Sequence, residues 1–140
     1  MAEKIKKQPV YKDDLLTIDH GSLESLLTVT WSDSCNNLND EGNTRALMTM
    51  NDTIKVFNPE LLLIDFQKCE YFLSPENLDR EKNLMISRIK AGNAAKVAVV
   101  VPGNLFVYPI FEAVRVSLER DLGNVMFFRD QAQALSWLLL

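Results

Sequence analysis

Three short apolar runs constrain the fold of this chain more than any other feature. They read LLLIDF, KVAVVV and VMFF and occupy residues 61–66, 96–101 and 125–128. Within them, polar and apolar residues do not alternate, which is typical of strands covered on both faces in a parallel sheet. Each run is followed by a stretch with the apolar spacing of a helix. The chain therefore predicts three strand–helix units joined by right-handed crossovers.

An antiparallel hairpin is predicted before these units. Residues 15–20 and 26–31 are two β-like runs, and a polar break with a Gly-Ser pair at residues 21–22 separates them. Residues 32–43 are rich in turn formers and poor in apolar residues, which predicts a loop.

Four helices are expected. The first begins near Thr44 and stops at the Asn-Pro pair of residues 58–59, because proline cannot continue a helix. The other three follow the apolar runs and span about residues 75–91, 105–122 and 130–140. Their expected N-terminal caps are Ser74, Asn104 and Asp130.

Together these elements predict an α/β protein. We expect one domain over residues 13–140, with a mixed sheet of about five strands and four helices. The hairpin supplies the antiparallel part of the sheet, and the three strand–helix units supply the parallel part. Residues 1–12 are expected to form a flexible arm. A chain of 140 residues is long enough to bury a core without disulfides or metals.

Composition argues against two classes of partner. The net charge is −4 and there is no block of basic residues, so the chain lacks the concentrated Lys and Arg on which nucleic-acid binding depends. No apolar run approaches the roughly 18 residues of a membrane-spanning helix. Cys35 and Cys69 do not form a CxxC pair, and two such cysteines imply no disulfide framework. With no signal peptide recognisable, these features predict reduced thiols and a cytoplasmic protein.

Catalytic chemistry has little support in the sequence. His20 is the only histidine, and no nucleophile is placed to pair with it. One histidine and two isolated cysteines match no metal-ligand spacing, and no phosphate-binding or nucleophile-elbow motif occurs. We therefore expect no enzyme activity, no cofactor and no metal, although carboxylate chemistry near Asp65 is an alternative.

The candidate site residues follow the predicted parallel strands, because ligands bind outside the carboxyl ends of such strands. Asp65 ends an apolar strand, where a buried charge needs a partner such as Lys96, Arg129 or a backbone amide. Gly103 and Asn104 precede a predicted helix, where they form either a structural turn or a small anion site.

The order of the segments LLLIDFQ, KVAVVVP and VMFFRDQAQALSWL resembles that of bacterial STAS-like proteins. These are relatives of the anti-sigma-factor antagonists and of the cytoplasmic domains of sulphate transporters, and the likeness is to small stand-alone members. It covers about residues 15–140. The resemblance implies a single STAS-like domain.

The resemblance also implies a regulatory site. The acid at the end of the family's central strand falls on Asp65, and its phosphorylatable serine falls on Ser74. Leu73 stands where the family usually has Asp, and Pro75 and Glu76 stand where Ser or Thr and Gly are usual. A helix cap is the alternative role for Ser74.

Two functions are expected from this reading. The resemblance implies a non-enzymatic regulatory or protein-interaction module, with a protein partner at Ser74, at the helix after it and at residues 102–104. The alternative is a protein that binds a nucleotide or lipid between the sheet and the first helix. The aromatic residues expected to line the ligand pocket are Phe57, Phe66, Tyr71, Phe72 and Tyr108.

The apolar C-terminus, residues 137–140, either docks on the core or forms a homodimer contact.

Overall fold

The computed structural model describes residues 7–74, 77–78, 83, 86–87, 89–90 and 92–140. Within them the chain forms an α/β fold with a six-stranded mixed sheet. The strands are β1 (Gln8–Lys12), β2 (Leu16–Gly21), β3 (Leu26–Trp31), β4 (Leu61–Asp65), β5 (Lys96–Val100) and β6 (Val125–Phe128). The helices described over their full length are α1 (Asp40–Phe57), α2 (Pro109–Leu122) and α3 (Gln131–Leu138).

A further helix was predicted over residues 75–91. Residues 77–78, 83, 86–87 and 89–90 have helical backbone, and the rest of that segment lies outside the described residues. No helix in the described part of the chain is long and apolar enough to cross a membrane.

The strands lie in the sheet in the same order as in the chain. The pairs β1–β2 and β2–β3 are antiparallel, and β3, β4, β5 and β6 are parallel. The predicted count of about five strands is corrected to six, because β1 lies in residues assigned to the N-terminal arm. Its pairing with β2 gives hydrogen-bond partners to backbone groups that an exposed hairpin edge leaves unpaired.

Two helix starts differ from the prediction. α1 begins at Asp40, within the predicted loop, because the side chain of Asn39 accepts a hydrogen bond from the Gly42 amide at 2.8 Å. α2 begins at Pro109, so Asn104 does not cap it. Proline has a fixed φ that suits the first position of a helix, and it disfavours helical backbone in the residue before it.

The core has one cluster on each face of the sheet. On the first face, alternate strand residues pack against α1 and α2, and on the second face they pack against α3. The second cluster consists of Leu26, Leu63, Ala98, Val100, Ala134, Leu135 and Leu138.

The chain's apolar C-terminus is divided between core and surface. Leu138 is buried in the second cluster, and the Trp137 ring lies 5.7 Å from that of Phe128. Leu140 is 92% exposed.

Cys35 and Cys69 form a disulfide, so the prediction of reduced, unpaired cysteines is wrong. Their Cα atoms are 6.0 Å apart, and both side chains are fully buried. Cys35 follows β3 and Cys69 follows β4. The carboxyl ends of adjacent parallel strands meet at one edge of a sheet, which brings together cysteines separated by 34 positions in sequence.

Candidate functional site

A cavity of about 420 Å³ lies between the first face of the sheet and the helices that cover it. Its floor consists of side chains from β4, β5 and β6. Its walls come from α1, α2 and the helical residues between β4 and β5. Among the apolar residues that line it are Leu47, Met50, Ile54, Leu62, Ile64, Val97, Phe111, Val114, Leu118 and Phe127.

The spacing of residues along each element explains the apolar lining. On α1, Leu47, Met50 and Ile54 are three and four residues apart, which places them on one face of the helix. On β4, Leu62 and Ile64 are two residues apart and therefore point to the same side of the sheet. The cavity is thus a gap within the first core cluster, between a helix stripe and a sheet face.

Polar side chains line another part of the cavity. Asn51, Asp52 and Lys55 lie on the second half of α1, and Ser87 and Asn93 lie near the start of β5 in sequence. Asp52 and Lys55 are exposed and Asn51 is half-buried. The cavity therefore combines an apolar interior with polar groups that reach the solvent.

Asn51 differs from the other polar lining residues. Its Oδ1 atom is buried and has no hydrogen-bond partner in the described part of the chain. An acceptor left in this state costs about 1–3 kcal/mol, because it has lost its bonds to water without replacement. In the sequence, Asn51 is recognisable as a polar residue on the apolar helix stripe that contains Leu47 and Ile54.

The loop of residues 67–74 forms one end of the cavity, where Phe72 and Leu73 line it. The Asn36 side chain holds this loop with three hydrogen bonds. Its Oδ1 accepts from the amides of residues 70 and 71 at 2.9 and 3.1 Å, and its Nδ2 donates to the Lys68 carbonyl at 3.0 Å.

Two further links hold the same loop. Cys69 is bonded to Cys35, and the Tyr71 hydroxyl donates a hydrogen bond to the Asp40 carboxylate at the start of α1. The end wall of the cavity is thus attached to the segment that follows β3.

Asp65 lies on the opposite face of the sheet from the cavity. It pairs in register with Val100, which belongs to the second core cluster. Its Oδ1 accepts a hydrogen bond from the Gln67 amide at 2.8 Å, so a backbone amide is the partner found among those expected. Burial raises the pKa of the Asp65 carboxyl, while the Gln67 amide and the Lys68 charge oppose the rise.

The two cations suggested as partners of Asp65 make other contacts. The Lys96 ammonium donates to the Trp137 carbonyl at 2.9 Å. The Arg129 guanidinium lies 4.9 Å from the centre of the Phe106 ring.

Ser74 occupies the position expected before the helical residues. Its carbonyl accepts from the amides of Asn77 and Leu78 at 3.0 and 2.8 Å, as at a helix start. Its hydroxyl donates to the Tyr71 carbonyl at 3.1 Å and accepts from the Asn77 Nδ2 at 3.0 Å. Pro75 and Glu76, on which the capping and family comparisons also depend, lie outside the described residues.

Gly103 and Asn104 lie in a short 3₁₀ helix, Gly103–Val107. A Cβ atom at Gly103 would lie 3.7 Å from the Arg129 Cδ, so this turn passes beside the loop after β6. The loops that follow β4 and β6 are also in contact, since the Gln67 Nε2 donates to the Arg129 carbonyl at 3.2 Å.

The site residues proposed from sequence do not form one cluster. Within the described part of the chain, no hydrogen bond or ion pair joins Asp65, Ser74, Gly103 or Asn104 to one another. Of the five aromatic residues expected to line a pocket, Phe66 and Phe72 line the cavity. Phe57 instead lies 4.7 Å from the His20 ring, measured between ring centres, and Tyr108 is exposed. Tyr71 points elsewhere, to Asp40.

The described residues contain no group of three or more His, Cys, Asp or Glu side chains that could hold a metal ion.

No protein-family model matches this chain, and no curated protein or solved structure matches it significantly.

Proposed function

We propose that this protein binds a small, mainly apolar molecule in the cavity between the sheet and α1. The observation that carries the proposal is the cavity itself, with a volume of about 420 Å³ and a largely apolar lining. Ligand sites have volumes of roughly 300–1,000 Å³ and combine apolar walls with a few polar groups. The protein would act by binding, without catalysing a reaction.

The apolar lining of the cavity supports this proposal. Apolar wall surface that a ligand removes from water contributes roughly 25 cal/mol per Å² to binding, so a mainly apolar molecule of matching size gains most from this site.

A cavity-filling variant tests the proposal. We would measure thermal unfolding with a panel of lipids, fatty alcohols and nucleotides, since a ligand of the folded state raises the melting temperature. Val114→Phe adds volume at a lining residue of α2 and is expected to abolish the rise. Val116→Phe makes the same change at an exposed position two residues away and is expected to keep it.

Unchanged melting temperatures of the wild-type protein across saturating panel members would refute ligand binding. Equal responses of the two phenylalanine variants would place any binding outside the cavity.

A regulatory protein-interaction module, as the resemblance to STAS-like proteins implies, is the second candidate. One observation favours it. Val107, Tyr108 and Ile110 are 77%, 53% and 56% exposed and follow the turn at residues 102–104. Adjacent exposed apolar side chains often mark an interaction surface. Phosphate on Ser74 would add about −1.5 to −2 charge to the loop that follows β4.

Charge insertion tests this second candidate. Ile110→Asp is expected to weaken capture of a purified partner at least tenfold, whereas Val116→Asp on the same helix leaves it unchanged. Ser74→Ala tests regulation, since a phosphorylated site gives a kinase-dependent affinity that the alanine variant lacks. Equal partner affinity in all of these proteins would rule out this surface.

Size-exclusion chromatography of Leu140→Asp tests whether the exposed C-terminus forms a homodimer.

We propose a cytoplasmic location because no signal peptide is recognisable in the sequence, and the Cys35–Cys69 disulfide would then be one of the uncommon cytosolic ones. Cytosolic thiols are normally kept reduced. Cell fractionation tests the location, and the protein is expected in the cytosolic fraction. Recovery from a secreted or membrane-enclosed fraction would instead indicate an oxidising compartment, where disulfides persist.

A further inference from the structure

The sheet has two outer strands, β1 and β6, and in the described part of the chain each has a neighbouring strand on one side only. The unpaired backbone groups of an outer strand can pair with a strand of another molecule, and proteins commonly prevent this with proline, lysine or a β-bulge. β1 has all three, since it contains Pro9 and Lys12 and its register with β2 shifts between Pro9 and Tyr11. The sequence of β1 therefore protects its own edge.

β6 has none of these protections. Its four residues, VMFF, are all apolar and favour the strand conformation. The carbonyls of residues 124 and 128 accept hydrogen bonds from the amides of Val97 and Val101, on the side of β5. Successive residues of a strand direct their backbone groups to opposite sides, so Val125 and Phe127 direct theirs to the free edge.

A side chain of α2 occupies one of these outward-facing donors. The Glu119 Oε2 atom accepts a hydrogen bond from the Phe127 amide at 3.0 Å. The Glu119 Oε1 atom accepts from the Arg115 guanidinium at 2.8 Å, and the same guanidinium donates to both carboxylate oxygens of Glu112 at 3.0 and 2.8 Å. Arg115 thus orients the carboxylate that covers the edge of β6.

We infer that Glu119 makes an autoinhibitory contact, which keeps β6 from pairing with the β6 strand of a second copy of this chain. A second copy suits this edge, because antiparallel pairing about a two-fold axis lets each strand offer the same groups to the other. The Phe127 amide of each copy would then donate to the Val125 carbonyl of the other. Met126, 38% exposed on the same strand, would add apolar contact. This contact does not require a ligand in the cavity.

Glu119→Ala removes the acceptor from the edge and provides the test. Light scattering over a concentration series measures the molar mass, which is expected to rise above that of the wild-type protein toward two chains. Amide hydrogen exchange measures the protection of Phe127. In dilute Glu119→Ala this amide is expected to exchange about 2- to 12-fold faster than in the wild type, the range for the loss of one net hydrogen bond. It is expected to regain protection at concentrations where the copies pair.

Three further variants make the test specific. Glu112→Ala is the matched control, because it removes a carboxylate from the same helix and the same arginine, and it is expected to keep the wild-type mass and exchange. Met126→Lys, added to Glu119→Ala, places a charge on the edge strand and is expected to restore the wild-type mass. Glu119→Leu also lacks an acceptor and retains aliphatic packing, so it gives the same test where the alanine variant does not fold.

Four outcomes would overturn the inference. Equal masses of Glu119→Ala and Glu112→Ala would mean that the carboxylate does not prevent pairing. Equal exchange of the Phe127 amide in the dilute wild type and variant would mean that Glu119 does not cap the edge. Association that survives Met126→Lys would place the contact between copies away from β6. Assemblies larger than two chains would also contradict it, since each copy has one β6 edge.

Discussion

Asp65 is a buried titratable residue whose carboxylate accepts a hydrogen bond from a backbone amide. Its side chain is 7% exposed, and burial raises the pKa of its carboxyl above the ordinary value of 3.8. Between that ordinary pKa and the raised one, the folded protein binds more protons than the unfolded chain. The contribution of Asp65 to stability therefore falls as pH rises through this interval, and the carboxylate destabilises the fold at neutral pH.

Asp65→Asn is expected to increase the free energy of unfolding at neutral pH, because the amide removes the buried charge and keeps an oxygen for the Gln67 amide. The gain is expected to vanish as pH falls below the raised pKa. Urea unfolding of the two proteins from pH 3 to pH 8 measures the difference. The exposed Asp14→Asn serves as the control, because it removes a carboxylate that is not buried. A variant less stable than the wild type at neutral pH would contradict the assignment.

Asp65 and Asn51 show which features of a single residue can be predicted from the sequence. A carboxylate at the end of an apolar strand predicted that Asp65 needs a partner, and the partner is a backbone amide. The sequence could not indicate which partner, because that depends on the path of the chain after the strand. Asn51 was missed for a related reason. A polar residue on an apolar helix stripe is informative only when a cavity is known to lie beside it.

The start of α3 depends on the predicted cap Asp130. Its Oδ1 accepts from the Gln133 amide at 2.8 Å, and α3 provides three buried residues of the second core cluster. Asp130→Ala is expected to lower the free energy of unfolding by about 1 kcal/mol, since the freed amide loses its acceptor. Asp130→Asn retains the acceptor and is expected to lose less. Equal losses in urea unfolding would mean that the charge, and not the cap, stabilises this end.

The end of α2 depends on the backbone of Gly123. Its φ angle is 74°, and its amide donates to the Glu119 carbonyl at 3.2 Å. A Cβ atom there would meet no atom within 4 Å, so the cost of Gly123→Ala is that of the left-handed backbone alone. We expect a loss of about 1–2 kcal/mol in urea unfolding. Gly123→Asn is expected to lose less, because asparagine tolerates this conformation, and the reverse order would contradict the argument.

The capping residues explain why some helix ends were predicted correctly from the sequence and others were not. Asp130 and Asn58 stand where no competing signal lies nearby, and each occupies the predicted position. The two wrong starts had competitors. Asn39 caps α1 ahead of the expected Thr44, and Pro109 begins α2 after the expected Asn104. Choosing between adjacent signals requires the packing of the helix, which one sequence does not contain.

At the scale of the whole molecule, the disulfide links two strand ends. Closing a loop of about this length, with a separation of 34, is expected to stabilise the fold by about 3–4 kcal/mol through the entropy of the unfolded chain. Wild-type protein refolded from urea with a reductant is therefore expected to have a lower free energy of unfolding than the oxidised protein. Refolding from urea is needed because both cysteines are fully buried.

The double variant Cys35→Ala, Cys69→Ala is the control for this measurement. Its unfolding is expected to be the same with and without reductant, which separates the bond from general effects of the reagent. Identical unfolding of the oxidised and reduced wild-type protein would show that the bond adds no stability.

The α/β class and the mixed sheet followed from apolar runs and helical spacing, because both signals are local. β1 was missed, because its five residues are QPVYK and only Val10 and Tyr11 show a strand preference. The disulfide and the cavity were missed because both depend on elements far apart in sequence. They are properties of how elements pack, which the order of residues indicates only weakly.

The order of the strands has a consequence for how the protein is made. Each strand from β2 to β6 lies directly beside the one before it in the chain, so no strand is inserted between two earlier ones. On the ribosome, every new strand therefore emerges with its neighbour already synthesised, and the sheet can grow in one direction. α3 follows every strand in the chain and covers β4, β5 and β6 from the second face, so it completes this part of the core after the sheet. Chains truncated after Phe128 lack α3 and are thus expected to leave Leu63 and Ala98 exposed on the second face of the sheet, which binding of an apolar dye would detect.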